Sequence, residues 1–239
     1  MSTIAEKLTT IAENEQRIYD KGHEKGIRGF WECFTNKGAR INYKNAFTET
    51  DFSGITVPSD LFFPSSLSTG MFEKYAGRTL PLGINLNNSG ASLCNSLFIN
   101  STNLVEIYNL NLRAQTSYVQ CFSGCSALKK IELIKVNSLT TFTNAFTNCE
   151  ALTDIKISGT ITKDISFQSS PLNVESMKNI ISNLKTYAGT SNEAKYTLTF
   201  TTACWTTLEA SGKPFDDGLT TDETLTWANY VSVNKGWNI

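Results

Sequence analysis

The chain has 239 residues, a formal net charge of −1 from 21 basic and 22 acidic side chains, six cysteines and a single histidine. That balance gives no electrostatic footing for a nucleic acid or for insertion at an anionic membrane; no stretch approaches the roughly 20 apolar residues of a membrane span. One histidine excludes every triad or zinc site that needs two.

Residues 1–29 come first. Ile4, Leu8, Ile11 and Ile18 fall at spacings of four, three and seven, a heptad seam interrupted by Glu15. Two readings stay open: a surface helix docked on the adjoining part of the chain, or a short oligomerising stalk with a trimer as the favoured homo-oligomer. Four seam positions make about two heptads, marginal for an isolated coiled coil. The segment lacks the apolar run and small-residue cleavage site of a secretory signal, so the expectation is synthesis in a cytoplasm without a signal peptide. In that reducing setting Cys33, Cys94, Cys121, Cys125, Cys149 and Cys204 are expected as buried thiols rather than disulfides. Gly22, Gly26 and Gly29 then mark a joint, and His23 among them reads as a solvated loop residue.

Residues 30–172 are dominated by a period. Phe47, Phe72, Phe98, Phe122, Phe146 and Phe167 recur with gaps of 25, 26, 24, 24 and 21 residues. Phe98 is followed by Ser101, Leu104 and Ile107; Phe122 by Cys125, Leu128, Ile131 and Leu133; Phe146 by Cys149, Leu152, Ile155 and Ile157. The shared frame is F-x-x-(C/S)-x-x-L-x-x-I, closing on an I-x-(L/I) alternation of period two, as a half-buried strand requires. One such coil is too short to bury its apolar face alone. Stacking coils in register pairs the strands into a parallel sheet and aligns Phe, Leu and Ile as interior ladders. The small Cys or Ser is expected where the chain turns inward, beside carbonyls the turn leaves open. In the Phe72 unit the Leu position holds Arg78, and the apolar alternation slides to Leu80, Leu82, Ile84 and Leu86.

This frame resembles the leucine-rich repeats of the BspA-like class of bacterial surface proteins, closely over residues 94–158 and more loosely over 41–93. The resemblance implies an α/β repeat fold: a leucine-rich-repeat solenoid with a parallel sheet, an N-terminal helix and an α/β C-terminal cap.

Residues 173–239 lose the period and are expected to close the stack. Val174, Met177, Ile181 and Leu184 lie on one helical face of 174–187, with Ala188-Gly189 as the stop. A strand over 196–200, a helix through Trp205 and Leu208, a Gly/Asp-rich loop, a helix from Trp227 to Val231 and a terminal Trp237-Asn238-Ile239 follow. Helix, polar strand and final K-G-W-x-I resemble the tail cap of repeat proteins from bacteriophage and gut-bacterial genomes.

The chemistry of a catalyst is hard to assemble from these residues. Cys121 and Cys125 form a C-x3-C but belong to positions of the frame, so they make a poor zinc site. Asp216-Asp217-Gly218 lacks the later acidic ligands of a calcium loop. No Gly-rich phosphate loop follows a strand. The expectation is a non-enzyme with no metal and no cofactor.

A binding surface can be placed instead. Side chains flanking the central Ile of each strand point away from the core, giving Glu106 and Tyr108, then Lys130 and Glu132, then Asp154 and Lys156. They form a candidate concave strip of alternating charge with Tyr108 as its one aromatic. Ile4, Leu8, Ile11 and Ile18 are the candidate oligomerisation residues. The family resemblance points to a phage- or prophage-type tail subunit of a virion that contacts a host surface or another virion protein. Its expected partners are a protein or a cell-surface glycan. The alternative is a free bacterial leucine-rich-repeat module or adhesin outside any virion.

Overall fold

The computed structural model describes residues 47–56, 70–82, 94–108, 115–214 and 225–239. The expected N-terminal helix with Ile4, Leu8, Ile11 and Ile18 lies outside these residues, as do His23, Cys33 and Asp216-Asp217-Gly218.

The protein is α/β with parallel sheets. In chain order the elements are β1 (Glu106–Ile107), β2 (Gln115–Ser117), β3 (Lys130–Thr141), β4 (Asp154–Ser158), β5 (Ile165–Phe167), α1 (Val174–Ser182), β6 (Leu198–Phe200), α2 (Thr202–Ala210) and α3 (Trp227–Asn229). A π-turn over Tyr230–Asn234 continues α3. Glu106, Lys130 and Asp154 are Cα partners in one parallel row, and Ile107, Ile131 and Ile155 in the next. A bridge from Thr79 to Glu106 carries the row one segment further. β2 pairs with the far part of β3, and β5 pairs with β6 in a separate two-stranded sheet. The isoleucine row is buried, which fixes register, because a slip of one residue would turn every apolar side chain outward.

Behind the sheet runs a column of aromatic rings. Phe72, Phe98, Phe122 and Phe146 stack with centroids 5.5, 5.7 and 5.6 Å apart, Phe47 joins at 5.2 Å and Phe167 at 4.5 Å. Phe200 of β6 adds a seventh ring, 6.1 Å from Phe167. Stacked pairs of this kind contribute about 0.5–1.5 kcal/mol each beyond area burial. A second, shorter column stands four residues before Phe122 and Phe146, where Tyr118 and Phe142 stack at 5.8 Å.

The backbone around Phe72, Phe98 and Phe122 is held by cross-segment hydrogen bonds of period two. The amides of Ser96, Phe98 and Asn100 donate to the carbonyls of Val119, Cys121 and Ser123 at 2.8, 2.9 and 2.7 Å. Gln120, Phe122 and Gly124 repeat this to Thr143, Ala145 and Thr147. The residues two before and two after the Phe take positive φ: Ser96 and Asn100, Gln120 and Gly124, Asn144 and Asn148. Left-handed backbone disfavours most side chains and is best tolerated by Gly and Asn, which is why those residues punctuate the frame.

The small residue three after Phe98, Phe122 and Phe146 does what its chemistry suggests. Ser101 Oγ donates to Phe72 O at 2.9 Å, Cys125 Sγ to Phe98 O at 3.0 Å and Cys149 Sγ to Phe122 O at 3.1 Å. Each therefore ties its segment to the one before. Cys94, Cys121, Cys125, Cys149 and Cys204 are all buried free thiols. Burial pushes the Cys149 thiol up to about 12, with a smaller opposing effect of a backbone hydrogen bond.

Four details differ from the sequence reading. First, Arg78 O accepts from Val105 N just as Val105 O accepts from Lys129 N, so Arg78 aligns with Val105 and the Phe72 segment is one residue short. Gly77 then stands at the Leu position, where a Cβ would meet the Tyr75 ring at 2.6 Å. Tyr75 fills the missing volume, and its hydroxyl accepts from Phe52 N and donates to Thr79 O. Second, Leu82 is 61% exposed and does not share the burial of Leu80; Ile84 and Leu86 lie outside the described residues. Third, a bulge sets Glu132 and Leu133 together opposite Lys156, so that Ile134 rather than Leu133 pairs with Ile157 and is buried. Fourth, α1 ends at Ser182, not at Tyr187. Leu184 leaves the helix to bridge Ile161; tertiary pairing overrides the local helical pattern.

Helix α1 also closes the edge of β4. Ile155 N donates to Ser176 Oγ at 2.9 Å, Ile157 N to Asn179 Oδ1 at 2.7 Å, and Asn183 Nδ2 donates to Ile157 O at 3.1 Å. Ser176, Asn179 and Asn183 are three and four residues apart, which puts them on one helix face. Their side chains satisfy the amides and carbonyl of an otherwise open strand edge. Beyond α1, Phe200, Trp227 and Trp237 carry the buried core to the end of the chain.

Candidate functional site

The six strip residues are brought together on the outer face of β1, β3 and β4. Their neighbours across the sheet are those the alternation implies for the first column, Glu106, Lys130 and Asp154. The second column is displaced by the bulge, which puts Glu132 beside Leu133 against Lys156.

The charges do not simply pair along the column. Asp154 accepts from Asn173 Nδ2 at 2.8 Å through one oxygen and from Thr153 Oγ1 at 2.7 Å through the other. Lys130 instead places its ammonium 5.7 Å from the centroid of the Tyr108 ring, a cation–π contact. The Tyr108 hydroxyl donates to the Glu106 carboxylate. That bond raises the Tyr108 phenol above its usual range, assisted by slight desolvation and by the charges of Glu106 and Glu132. Tyr108 remains 44% exposed.

The strip does not stand alone. Lys130, Glu132, Asp154 and Lys156 form one wall of a groove of about 470 Å³. The first turns of α1 form the other wall, through Asn173, Glu175, Ser176 and Asn179. Sequence reasoning missed this second wall, because α1 reads there only as a helix with an apolar face. The signal was present in Asn173, Ser176 and Asn179, polar residues three apart at a helix start. Asn173 is the N-cap and accepts from Ser176 N, while its amide holds Asp154.

The groove is thus a fixed polar floor with a charged rim. Asp154, Asn173 and Asn179 are each held by hydrogen bonds within the protein. Among the described residues, the Lys156 ammonium, the Glu175 carboxylate and the Asn179 amide nitrogen have no hydrogen-bond partner. The apolar residues beneath, Ile131 and Ile155, are buried.

A second polar constellation lies toward the C-terminus. Lys163 Nζ donates to Tyr196 Oη at 3.0 Å, and this bond lowers the phenol below its usual range, with smaller effects of the Lys163 and Lys195 charges. Tyr196 packs on Tyr187 and Trp237 at 5.3 and 6.0 Å. Among the described residues no group of three or more His, Cys, Asp or Glu side chains is placed to hold a metal ion, and no helix is long and apolar enough to cross a membrane. Comparison of the chain with family models, curated proteins and solved structures finds no match.

Proposed function

We propose that the chain is a leucine-rich-repeat solenoid of the BspA-like class and a non-enzymatic binding protein. On this reading residues 30–172 are the repeats and residues 173–239 the cap that covers their apolar end. The seven-ring column and the period-two bonds between Phe-anchored segments support the stack. The observation that carries the function is the groove. Four of the six strip residues line it opposite the first turns of α1, the kind of concave, partly preformed site in which ligands bind.

In this reading the protein is a phage- or prophage-type, tail-associated virion subunit, and its groove faces a host surface or a neighbouring virion protein. Residues 1–25 trimerise it through Ile4, Leu8, Ile11 and Ile18. The test is attachment of the purified full chain to isolated host envelopes, beside Tyr108→Ala/Lys130→Ala. The reading expects the double variant to lose attachment while its melting temperature falls by no more than about 4 °C, as for a surface change. Unchanged attachment would place the binding site elsewhere. Solution mass separates the two biological settings: a trimer that needs residues 1–25 fits the virion, and a monomer fits a free bacterial module.

A further inference from the structure

We infer that the groove between the β3–β4 face and α1 is a saccharide site for a neutral, hydroxyl-rich ligand. The inference rests on the reading above that this groove is the binding surface. Three alternatives fail on the residues present. The groove is lined by two lysines and three carboxylates, so it offers a polyanion no net attraction. An extended peptide cannot add as a strand here, because the edge groups of β4 are already bonded to Ser176, Asn179 and Asn183. A protein hot spot needs an apolar or aromatic anchor in a desolvated pocket, yet among the described residues the apolar lining, Ile131 and Ile155, is 1% and 3% exposed.

What remains suits vicinal hydroxyls. Asp154 is fixed with acceptor capacity left on both oxygens, since a carboxylate offers about four acceptor positions and two are used. Asn179 is fixed through Oδ1, which leaves its amide nitrogen as an oriented double donor. Acceptor and donor therefore stand on opposite walls of a groove of about 470 Å³, within the ~300–1,000 Å³ of small-ligand sites. Because both are held in advance, little side-chain ordering opposes binding. Glu175 and Lys156, which also line the groove, supply further hydrogen bonds.

The experiment is a printed array of neutral, uronic-acid and sulfated oligosaccharides probed with the full chain, followed by titration calorimetry with the best neutral hit. Asn179→Asp keeps the acceptor for Ile157 N but replaces the donor; Lys185→Ala, outside the groove, is the control. The inference expects neutral glycans to bind, with affinity about tenfold weaker in Asn179→Asp, as loss of one oriented hydrogen bond implies, and unchanged in Lys185→Ala. Binding confined to acidic glycans overturns the neutral class of ligand, and binding to none overturns the saccharide site. If no glycan binds but Tyr108→Ala/Lys130→Ala still abolishes envelope attachment, the groove binds protein and only this inference falls. Glycan binding insensitive to Asn179→Asp overturns the assignment to the groove.

Discussion

At the scale of single residues, the frame is a set of volume and hydrogen-bond requirements rather than a consensus. The position three after Phe98, Phe122 and Phe146 is small and donates to a carbonyl one segment back, as Ser101, Cys125 and Cys149 do, whereas after Phe72 it holds Tyr75. That role was legible from the spacing. The Tyr75 exception was not, because a one-residue deletion hides behind an unbroken pattern until the register shows Gly77 at the Leu position. The raised Cys149 thiol gives a prediction with a definite sign. Its proton is bound more tightly in the folded chain, so its contribution is whole below about pH 8.5–9, the unfolded value, and fades as pH climbs toward about 12. The slope approaches about 1.4 kcal/mol per pH unit for this one group. Urea midpoints measured from pH 7.5 to 10.5 should fall above pH 9, and Cys149→Ser should flatten the decline. A midpoint independent of pH across that range would contradict the buried, protonated thiol.

At the scale of elements, short strands are made possible by what closes them. β4 has only five residues, and the helix beside it supplies the missing partners through side chains. Ser176 is 5% exposed and bonds both Ile155 N and Thr153 O. Ser176→Ala should therefore cost about 1–3 kcal/mol, the range for buried polar groups left unpaired, and should raise the exchange rate of the Ile155 amide above that of Ile131. A neutral change with Ile155 still protected would mean that the helix is not the edge partner. The sequence foretold α1 by its apolar face, but its length came out five residues too long because the pairing of Leu184 with Ile161 is a long-range event. It foretold the strip's outward residues by alternation, yet the β3 bulge is invisible to a period-two pattern, since Leu133 and Ile134 are both good core residues.

At the scale of the whole molecule, the Phe column is the common support. It was legible because an aromatic returning every 21 to 26 residues has few explanations other than stacking. Phe200 was not, because its segment arrives 33 residues after Phe167 and breaks the period. The groove needed two elements that no local pattern links, and so only the structure brings its second wall to the first. The column aligns the rows that present Lys130, Glu132, Asp154 and Lys156, so fold and proposed site share one support. Phe146 sits near its middle, 1% exposed and stacked on Phe122 and Phe167. The most direct test is the unfolding free energy of Phe146→Ala from urea titration of the full chain. The account predicts a loss of about 3–5 kcal/mol, the range for removing a buried Phe; a loss below about 1 kcal/mol, typical of a surface position, would contradict it.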